Sequence, residues 1–454
     1  MNNQTDKKRI FGTDGVRGVA NKDLTCEMAF GLGAAAVKLL GPVLVIGRDT
    51  RQSGTMLEAA LVAGISSRGG EALLAGIIPT PAVAFLTRNL DASGGVVISA
   101  SHNPPEFNGI KFFDSGGYKI TPAVEDQLEE GMQAAWQQSQ GLPTGSAVGV
   151  TRHIEDAQER FIESAVAILK KEHVSLKKLK IAVDCGNGAS CYTTPETLRR
   201  LGAEVIAIND SGDGAAINVD SGSANLSQLI ETVKNCKADV GIAHDGDADR
   251  VIAVGAEGME IDGDYIEAIC ALDRKATRGL PGNTIVSTVM CNIGLVQAMA
   301  RAGIKVLQTA VGDANVLAAM RAGGYTIGGE QSGHTIFLDH NTTGDGLTTA
   351  LMLLAAMQRS GKPLHELALE TMQKYPQTLI NVAVKNKERL SQNANISEAS
   401  SAAEAFLQDN GGGRVLLRAS GTEPLVRVMV EAAAKSTADS IAQSLAKTVE
   451  AELA

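Results

Sequence analysis

Short apolar runs that end in polar or glycine-rich turns recur along the chain, and each has the length of one buried strand. Three such runs open similar segments, at residues 43–49, 181–186 and 284–288. Each is followed by a stretch with helical periodicity and by a second predicted strand, at residues 71–78, 204–208 and 305–309. Alternating strand and helix patterns are typical of parallel sheets covered by helices, so the sequence predicts three related α/β units.

In each unit a third predicted strand ends in an unusual loop. The loops contain Ser101 in the first unit, residues 240–250 in the second and residues 325–334 in the third. Because α/β sheets bind ligands beyond the carboxyl ends of their strands, we expect the three loops to face one cleft. The last part of the chain differs: predicted strands at 414–417 and 425–430 precede an alanine-rich helix, which indicates a small α+β domain.

Changes in composition suggest where the domains meet. A segment rich in Gln, Ser, Gly and Pro at 137–149 precedes a predicted helix at 154–171, and glycines near 256–263 separate the second unit from the third. We therefore predict domains at residues 1–153, 154–256, 257–373 and 374–454. The predicted fold is three related α/β domains with mixed, mostly parallel sheets around a central cleft, followed by the smaller α+β domain.

Composition and charge exclude two broad classes of function. Glycine accounts for 49 of the 454 residues and hydrophobic residues for 44%, as in ordinary globular α/β proteins. The formal net charge of -10 argues against a nucleic-acid partner, because phosphate backbones need a basic surface. The polar first ten residues and the absence of an apolar run of about 18 residues predict a cytoplasmic protein with no membrane partner.

A serine follows the third strand of the first unit, in the sequence Val97-Ile-Ser-Ala-Ser-His-Asn-Pro-Pro105. The Asn-Pro and Pro-Pro steps disfavour helix and predict a rigid, extended loop. We expect Ser101 to be displayed outside the sheet, where its hydroxyl can react. The alternative is a Ser/Asn turn that only bonds its own backbone.

Asp245, Asp247 and Asp249 are the strongest metal signal in the sequence. Three carboxylates two residues apart repel one another, so a hard divalent cation is the natural way to hold them, and Mg²⁺ is the physical expectation. An EF-hand is excluded, because Arg250 and Ala256 stand where such a loop needs Gly and Glu. The alternative is a solvated acidic turn.

Two further segments have the ingredients of anion-binding loops. Residues 418–424, with Arg427 beyond them, combine arginines and hydroxyls with small residues that let backbone N–H groups approach a phosphate. Residues 11–18 have similar Gly, Thr and Arg content and include Arg17. The alternatives are an ordinary hairpin turn for residues 418–424 and an entry loop for residues 11–18. Lys111 could equally be a surface lysine, and His334 could equally be a structural histidine.

Taken together, four ordered motifs resemble the α-D-phosphohexomutase superfamily over essentially the full length of the chain. They are the Ser-His-Asn-Pro loop, Asp-Gly-Asp-Ala-Asp-Arg, Gly-Glu-Gln-Ser-Gly-His and Arg-Ala-Ser-Gly-Thr-Glu-Pro. One small departure is Ile98-Ser99, where relatives often carry Thr. Residues 10–18 and Gln331 are most similar to the bacterial branch that acts on glucosamine phosphates.

This resemblance implies a role for each motif. Ser101 is the implied phosphoserine, which together with Asp245, Asp247 and Asp249 would hold one Mg²⁺ per chain. Arg17, Lys111 and Arg250 would flank the transferring group, and either Lys111 or His334 would be the general acid/base. Two sets of substrate contacts are implied: sugar hydroxyls at Glu330 and Ser332, and the phosphate that is not transferred at Arg418, Ser420, Gly421, Thr422 and Arg427.

The implied reaction interconverts glucosamine 6-phosphate and glucosamine 1-phosphate, with glucosamine 1,6-bisphosphate or a similar bisphosphate as intermediate and activator. A mutase for glucose or mannose phosphates would share the catalytic loops. A non-catalytic sugar-phosphate-binding protein and a phosphatase with an Asp nucleophile are alternatives from other classes. The sequence leaves the oligomeric state open, with a homodimer as one alternative.

Overall fold

The computed structural model describes residues 9–12, 14–137, 140–420 and 424–454, with backbone alone at 136 and 137. The chain forms two compact units. One comprises Met1–Val289 with Leu307–Leu369, and the other comprises Met290–Val306 with Glu370–Ala454.

The first sheet has the strand order β1-β2-β6-β5-β3-β4-β7. Its strands are β1 Phe11–Gly12, β2 Gly15–Val19, β3 Val43–Arg48, β4 Glu71–Ile77, β5 Gly94–Ile98, β6 Phe107–Asp114 and β7 Thr151–His153. Its helices are α1 Cys26–Leu39, α2 Ser53–Ser67, α3 Thr80–Asn89 and α4 Pro122–Gln137. β3 is parallel to β4 and β5, whereas β6 is antiparallel to β5.

Helices α1 and α2 pack closely over this sheet because glycines line their contact. A Cβ atom at Gly33 would lie 2.3 Å from the Leu61 carbonyl oxygen, and one at Gly64 would lie 2.1 Å from that of Phe30. Leu32 and Leu57 are fully buried in the resulting core. A sequence with few aromatic residues thus fills its core by close approach of backbones.

The second sheet has the order β12-β11-β10-β8-β9. Its strands are β8 Lys180–Asp184, β9 Glu204–Ile208, β10 Val240–His244, β11 Val251–Gly255 and β12 Glu260–Ile261. The neighbouring helices in the chain are α5 Ala157–Lys171, α6 Thr193–Arg200 and α7 Ser227–Cys236. β8 is parallel to β9 and β10, and β11 is antiparallel to β10.

The third sheet has the order β14-β13-β15-β16. Its strands are β13 Thr284–Thr288, β14 Lys305–Thr309, β15 Ile327–Gly329 and β16 Thr335–Phe337. The helices of this segment are α8 Gly263–Thr277, α9 Ile293–Arg301, α10 Asp313–Gly323, α11 Gly346–Ser360 and α12 Leu364–Thr371.

The three sheets repeat one arrangement. The central strands run β6-β5-β3-β4, β11-β10-β8-β9 and β16-β15-β13-β14, so that in each sheet the third strand of the unit lies beside the first. The antiparallel strand follows the third one directly in the chain. The predicted relation between the units and the predicted mixed sheets are therefore confirmed, and each unusual loop connects the third strand to its antiparallel neighbour.

The C-terminal sheet is antiparallel, in the order β17-β19-β18. Its elements are β17 Gln377–Ala383, α13 Ala394–Asp409, β18 Gly413–Ala419, β19 Leu425–Ala432 and α14 Lys435–Leu453. The sequence analysis did not predict β17 or α13. Within α13 only Ile396 and Leu407 are buried, so the apolar periodicity that marks a helix is weak.

Candidate active site

The Ser101 loop is held rigidly from beneath. Ser101 has a left-handed φ of 53°, and its backbone N–H donates to Ser99 Oγ over 2.9 Å. The Ser99 hydroxyl in turn donates to Asp49 Oδ2 over 2.6 Å. The Ser101 side chain is only 1% exposed, so the expectation that it is displayed is wrong. Its hydroxyl is covered because a neighbouring loop places Asp245 over it.

Arg51, fully buried, organises the same loop through its guanidinium group. It donates to the carbonyl oxygens of Ser101 over 3.0 Å and Asn103 over 2.6 Å, and also to those of Pro104 and Phe107. Asp49 accepts from its Nε over 2.9 Å, so the buried charge is paired. The sequence analysis missed this network, although the position of residues 49–51 directly after a buried strand was a usable signal.

A second residue that the sequence analysis missed holds the loop from the segment between β9 and α7. Asn218 Nδ2 donates to the carbonyl oxygens of Ser101 over 2.8 Å and Asn103 over 3.0 Å. Both carbonyl groups therefore accept from two donors. Four hydrogen bonds on two carbonyls leave the serine little freedom to move.

The three aspartates follow strand β10 and lie close together, with Asp245 in contact with Ser101. Asp245 and Asp247 are 0% exposed and Asp249 is 5% exposed, so the alternative of a solvated acidic turn is wrong. One oxygen atom from each lies within 4.8 Å of the others. The Ser101 hydroxyl donates to Asp245 Oδ2 over 2.5 Å. Burial, together with the charges of Asp249 and Asp247, raises the pKa of Asp245 well above its ordinary value.

In both Asp247 and Asp249, the two carboxylate oxygens differ in their contacts. Oδ2 of Asp247 accepts from Thr80 Oγ1 over 2.7 Å and from Lys111 Nζ over 2.9 Å. Oδ2 of Asp249 lies 3.6 Å from Lys111 Nζ and 3.5 Å from His334 Nδ1. Oδ1 of each is buried with no hydrogen-bond partner among the described residues. Because unpaired buried carboxylate oxygens are costly, this donor set fits a hard divalent cation.

Lys111 is 2% exposed, so the alternative of a surface lysine is wrong. Its ammonium lies 2.9 Å from Asp14 Oδ2 and 2.9 Å from Asp247 Oδ2. Burial opposes the charged form, but the carboxylates of Asp14, Asp247 and Asp249 outweigh burial and raise the pKa of Lys111. Asp14 also forms ion pairs with Arg17 and, over 2.7 Å, with Lys119. The sequence analysis did not predict Asp14 or Lys119 as site residues.

Arg250 and His334 complete the basic flank. Arg250 Nε lies 4.0 Å from Asp245 Oδ2 and 3.8 Å from Asp249 Oδ1. His334 is 4% exposed, and although burial works against protonation, the charge of Asp249 raises its pKa to about 9. The structure thus brings Lys111, Arg250 and His334 to the aspartates, whereas Arg17 pairs with Asp14, which contacts Lys111.

Glu330 and Ser332 share the β15–β16 loop with His334. Glu330 is half-buried and accepts from the Gly312 backbone N–H over 3.1 Å, whereas Ser332 is exposed. The loop is tied to the second sheet, because the Val251 backbone N–H donates to the Gly333 carbonyl over 3.1 Å. The hydroxyl of Ser332 and the carboxylate of Glu330 are groups of the kind that can bind the hydroxyls of a sugar.

The predicted phosphate cradle lies in the second compact unit. Arg418 and Arg427 stand directly opposite each other on β18 and β19. Burial and the charge of Arg427 lower the pKa of Arg418. Ser420 is buried, and its carbonyl accepts from Lys387 Nζ over 2.7 Å. Gly421 and Thr422 lie outside the described residues.

Comparison with known proteins places this arrangement in a family. Four models of phosphoglucomutase/phosphomannomutase domains match: alpha/beta/alpha domains I, II and III at residues 8–139, 159–258 and 262–375, and the C-terminal domain at 379–448. The chain therefore belongs to the phosphoglucomutase/phosphomannomutase family, and it is an isomerase of the phosphohexomutase type.

Within the family, several curated relatives that are about half identical to this chain are named phosphoglucosamine mutase. The protein from Thermobifida fusca is 51% identical over 453 residues, covering 98% of this chain and 99% of the relative. That from Clostridium tetani is 49% identical over 450 residues, covering 97% and 99%. A solved phosphoglucomutase/phosphomannomutase family protein from Burkholderia thailandensis superposes with a TM-score of 0.82, at 26% identity and 98% coverage of both chains.

Among the solved structures with the same fold that carry ligands, one is a fungal protein. It is an Aspergillus fumigatus N-acetylphosphoglucosamine mutase in complex with GlcNAc-6P and magnesium, with a TM-score of 0.67, 19% identity and coverage of 98% of this chain and 96% of that one.

Within the described ranges of the present chain, no helix has the length and apolar content needed to cross a membrane.

Proposed function

We propose that this enzyme interconverts glucosamine 6-phosphate and glucosamine 1-phosphate, with Ser101 as the carrier of the transferred phosphoryl group. The observation that carries the proposal is the Ser101 hydroxyl, 2.5 Å from one of three buried aspartates. A serine in this setting is poorly explained as a turn residue. This chain is 51% and 49% identical in sequence to two relatives named phosphoglucosamine mutase, which supports an amino sugar as substrate over glucose or mannose.

Mg²⁺ is the proposed metal, held by Asp245, Asp247 and Asp249 together with the phosphorylated Ser101. Support comes from the Oδ1 atoms of Asp247 and Asp249, which accept no hydrogen bond among the described residues and have the hard oxygen chemistry that Mg²⁺ prefers. When bound, the cation neutralises charge that develops on the phosphoryl oxygens.

In the forward half-reaction the free hydroxyl of the sugar attacks the phosphorus of phospho-Ser101. A new P–O bond to the sugar forms, the bond to Ser101 Oγ breaks, and the hydroxyl proton passes to a protein base. The product is a 1,6-bisphosphate, which reorients and returns its other phosphoryl group to Ser101. Arg17, Lys111 and Arg250 stabilise the transferring group through charge.

The contacts of the two candidate acid/base groups differ. Lys111 faces Asp14, Asp247 and Asp249, so all of its nearest groups are carboxylates. His334 faces Asp249 through Nδ1, while its Nε2 is buried with no hydrogen-bond partner among the described residues. A carboxylate on one imidazole nitrogen orients the ring and leaves the other nitrogen for proton transfer, and the raised pKa of His334 favours its protonated form, which donates a proton to the leaving oxygen in the reverse step.

The rest of the substrate is proposed to bind in two places. Glu330 and Ser332 bind sugar hydroxyls, and Arg418, Ser420, Gly421, Thr422 and Arg427 bind the phosphate that is not transferred. Two guanidinium groups directly opposite on neighbouring strands repel each other, so a bound dianion would relieve a cost of the folded state. The bisphosphate activator, the domain boundaries, a homodimer and the cytoplasmic location stay predictions.

Replacement of Ser101 by Ala tests the proposal, with Ser99→Ala as the matched control from the same loop. Purified wild-type protein should carry a phosphate on the Ser101 peptide by mass spectrometry, and Ser101→Ala should lack both phosphate and turnover. Ser99→Ala should keep its phosphate on Ser101. A chelator should abolish turnover, and added Mg²⁺ should restore it.

A panel of glucosamine, glucose and mannose 1-phosphates then separates the sugar alternatives. The highest kcat/KM is expected for glucosamine 1-phosphate. Binding of sugar phosphates without any turnover would instead identify a non-catalytic binding protein. Full activity in an unphosphorylated Ser101→Ala protein would overturn the proposed carrier.

A further inference from the structure

Helix α3 of the first sheet begins at the aspartate loop of the second. Its first residue, Thr80, is 2% exposed and makes two hydrogen bonds to one residue. The Thr80 backbone N–H donates to the carbonyl oxygen of Asp247 over 2.9 Å, and its hydroxyl donates to Asp247 Oδ2 over 2.7 Å. Asp247 is therefore gripped at both its backbone and its side chain by one threonine.

The two hydrogen bonds from Thr80 determine which carboxylate oxygen of Asp247 remains available to bind a cation. Oδ2 accepts from Thr80 on one side and from Lys111, over 2.9 Å, on the other. Oδ1 has no hydrogen-bond partner among the described residues and is buried. A carboxylate whose two oxygens are treated so differently cannot exchange them by rotation without breaking two hydrogen bonds.

We infer that Thr80 is a positioning residue for the metal centre, because it fixes Asp247 so that Oδ1 faces the cation. The inference rests on the proposed function, since it requires that the three aspartates hold a divalent metal ion. Thr80 is not one of the proposed ligands. It acts through Asp247, in the way that partners of ligating carboxylates orient them in other metal sites.

Lys111 by itself does not hold the Asp247 carboxylate in one orientation. Lys111 Nζ lies within 2.9 Å of both Asp14 and Asp247, so its ammonium is shared between two carboxylates. It sits at the end of a long side chain with several rotatable bonds, whereas the Thr80 hydroxyl is on Cβ of a residue at the start of a helix. The threonine is therefore the more rigid of the two donors.

Thr80→Val is the decisive variant, because valine replaces the hydroxyl by a methyl group of similar size. Binding of Mn²⁺ as a probe for the divalent ion is measured by electron paramagnetic resonance, on preparations matched for phosphorylation by intact mass. We expect the dissociation constant to rise about 10- to 100-fold, the range usual when a partner of a metal ligand is removed. Thr80→Ser keeps the hydroxyl and should bind Mn²⁺ as the wild type does.

The matched control is Thr87→Val on the same helix. Thr87 is fully buried, and its hydroxyl donates within the helix to the Val83 carbonyl over 2.8 Å. The same substitution there removes a buried hydroxyl without touching Asp247, so Mn²⁺ affinity should not change. If Thr80→Val does not fold by circular dichroism, Thr80→Ala removes the hydroxyl without adding volume.

Kinetics supply a second readout. For Thr80→Val the Mg²⁺ concentration that gives half-maximal rate should rise, while kcat at saturating Mg²⁺ and KM for the sugar phosphate recover toward wild type. Suppose that the wild type binds Mn²⁺ and that Asp247→Asn does not. Unchanged Mn²⁺ affinity in Thr80→Val would then overturn the role of Thr80 and leave the proposed metal site intact. Absence of Mn²⁺ binding to the wild type would instead overturn the proposed metal site.

Discussion

Replacing Arg51 by Lys should destabilise the protein and slow it, although the charge is kept. Arg51 spreads its donors over three nitrogen atoms and reaches Asp49 and four backbone carbonyls of the serine loop. A lysine ammonium presents three N–H groups on one atom, so it cannot reach all of these acceptors. At least two buried carbonyls should lose their arginine donor.

The magnitude follows from the acceptors that remain. A buried acceptor left without a partner costs about 1–3 kcal/mol, so two would cost about 2–6 kcal/mol. Asn218 still donates to the carbonyls of Ser101 and Asn103, which places the expected loss near the lower end, at about 2–4 kcal/mol. This is a large share of a typical stability of about 5–15 kcal/mol.

Turnover should fall as well, because the same bonds set the position of Ser101. A displacement of a reacting group by about 1 Å can cost about 100-fold in rate. Urea unfolding monitored by circular dichroism measures the stability, and conversion of glucosamine 1-phosphate at saturating Mg²⁺ measures the rate. The Asn218→Ala variant and the double variant form a cycle that gives the coupling between the two donors.

Arg48→Lys is the matched control. Arg48 lies three residues earlier, is partly exposed and has one carboxylate partner, Glu58, at 3.3 Å. Its replacement should change stability by no more than about 0.5 kcal/mol. If Arg51→Lys were as stable and as active as Arg48→Lys, the reasoning from the buried network would be refuted.

Two further predictions concern charge. Arg427→Gln should raise KM for the sugar phosphate about 10- to 100-fold, because it removes one charged hydrogen bond to the phosphate. The exposed Arg389→Gln is the control, and an unchanged KM would contradict a phosphate site. Glu267 is fully buried on α8, and burial, with the charge of Asp264, raises its pKa well above the ordinary 4.5. The stability from its protonated form is present below pH 4.5 and is lost as the pH rises through the folded pKa. Glu267→Gln should therefore raise the thermal midpoint more at pH 8 than at pH 5; an equal effect at both would exclude this cause.

Strands were predicted well where apolar runs are continuous. The strand at 284–288 has the predicted bounds and is buried throughout, as a parallel strand covered on both faces requires. The strands at 204–208 and 305–309 also have the predicted bounds, although their residues are half-buried or exposed. Strand β17 was missed, since several of its residues are exposed and no apolar run marks it. The aspartate triplet was recognised because its three carboxylates are neighbours in the sequence.

The partners of the site could not be predicted in the same way. Arg51, Asn218 and Thr80 contact the serine and aspartate loops from segments far away in the chain. Asp14 reaches Lys111 in the same manner, over 2.9 Å. No spacing rule connects such residues, because their distances depend on how two sheets and their loops pack.

The sequence by itself thus determined the α/β units, the loops that end their third strands and the residue types that carry the chemistry. These depend on local order: the apolar runs, the proline steps and the spacing of carboxylates. Only the tertiary structure decided that Ser101 is covered by Asp245 instead of displayed, and which oxygen of Asp247 is left for a cation. The reason is physical, since burial and hydrogen-bond geometry arise from side chains that meet only when separate segments pack together.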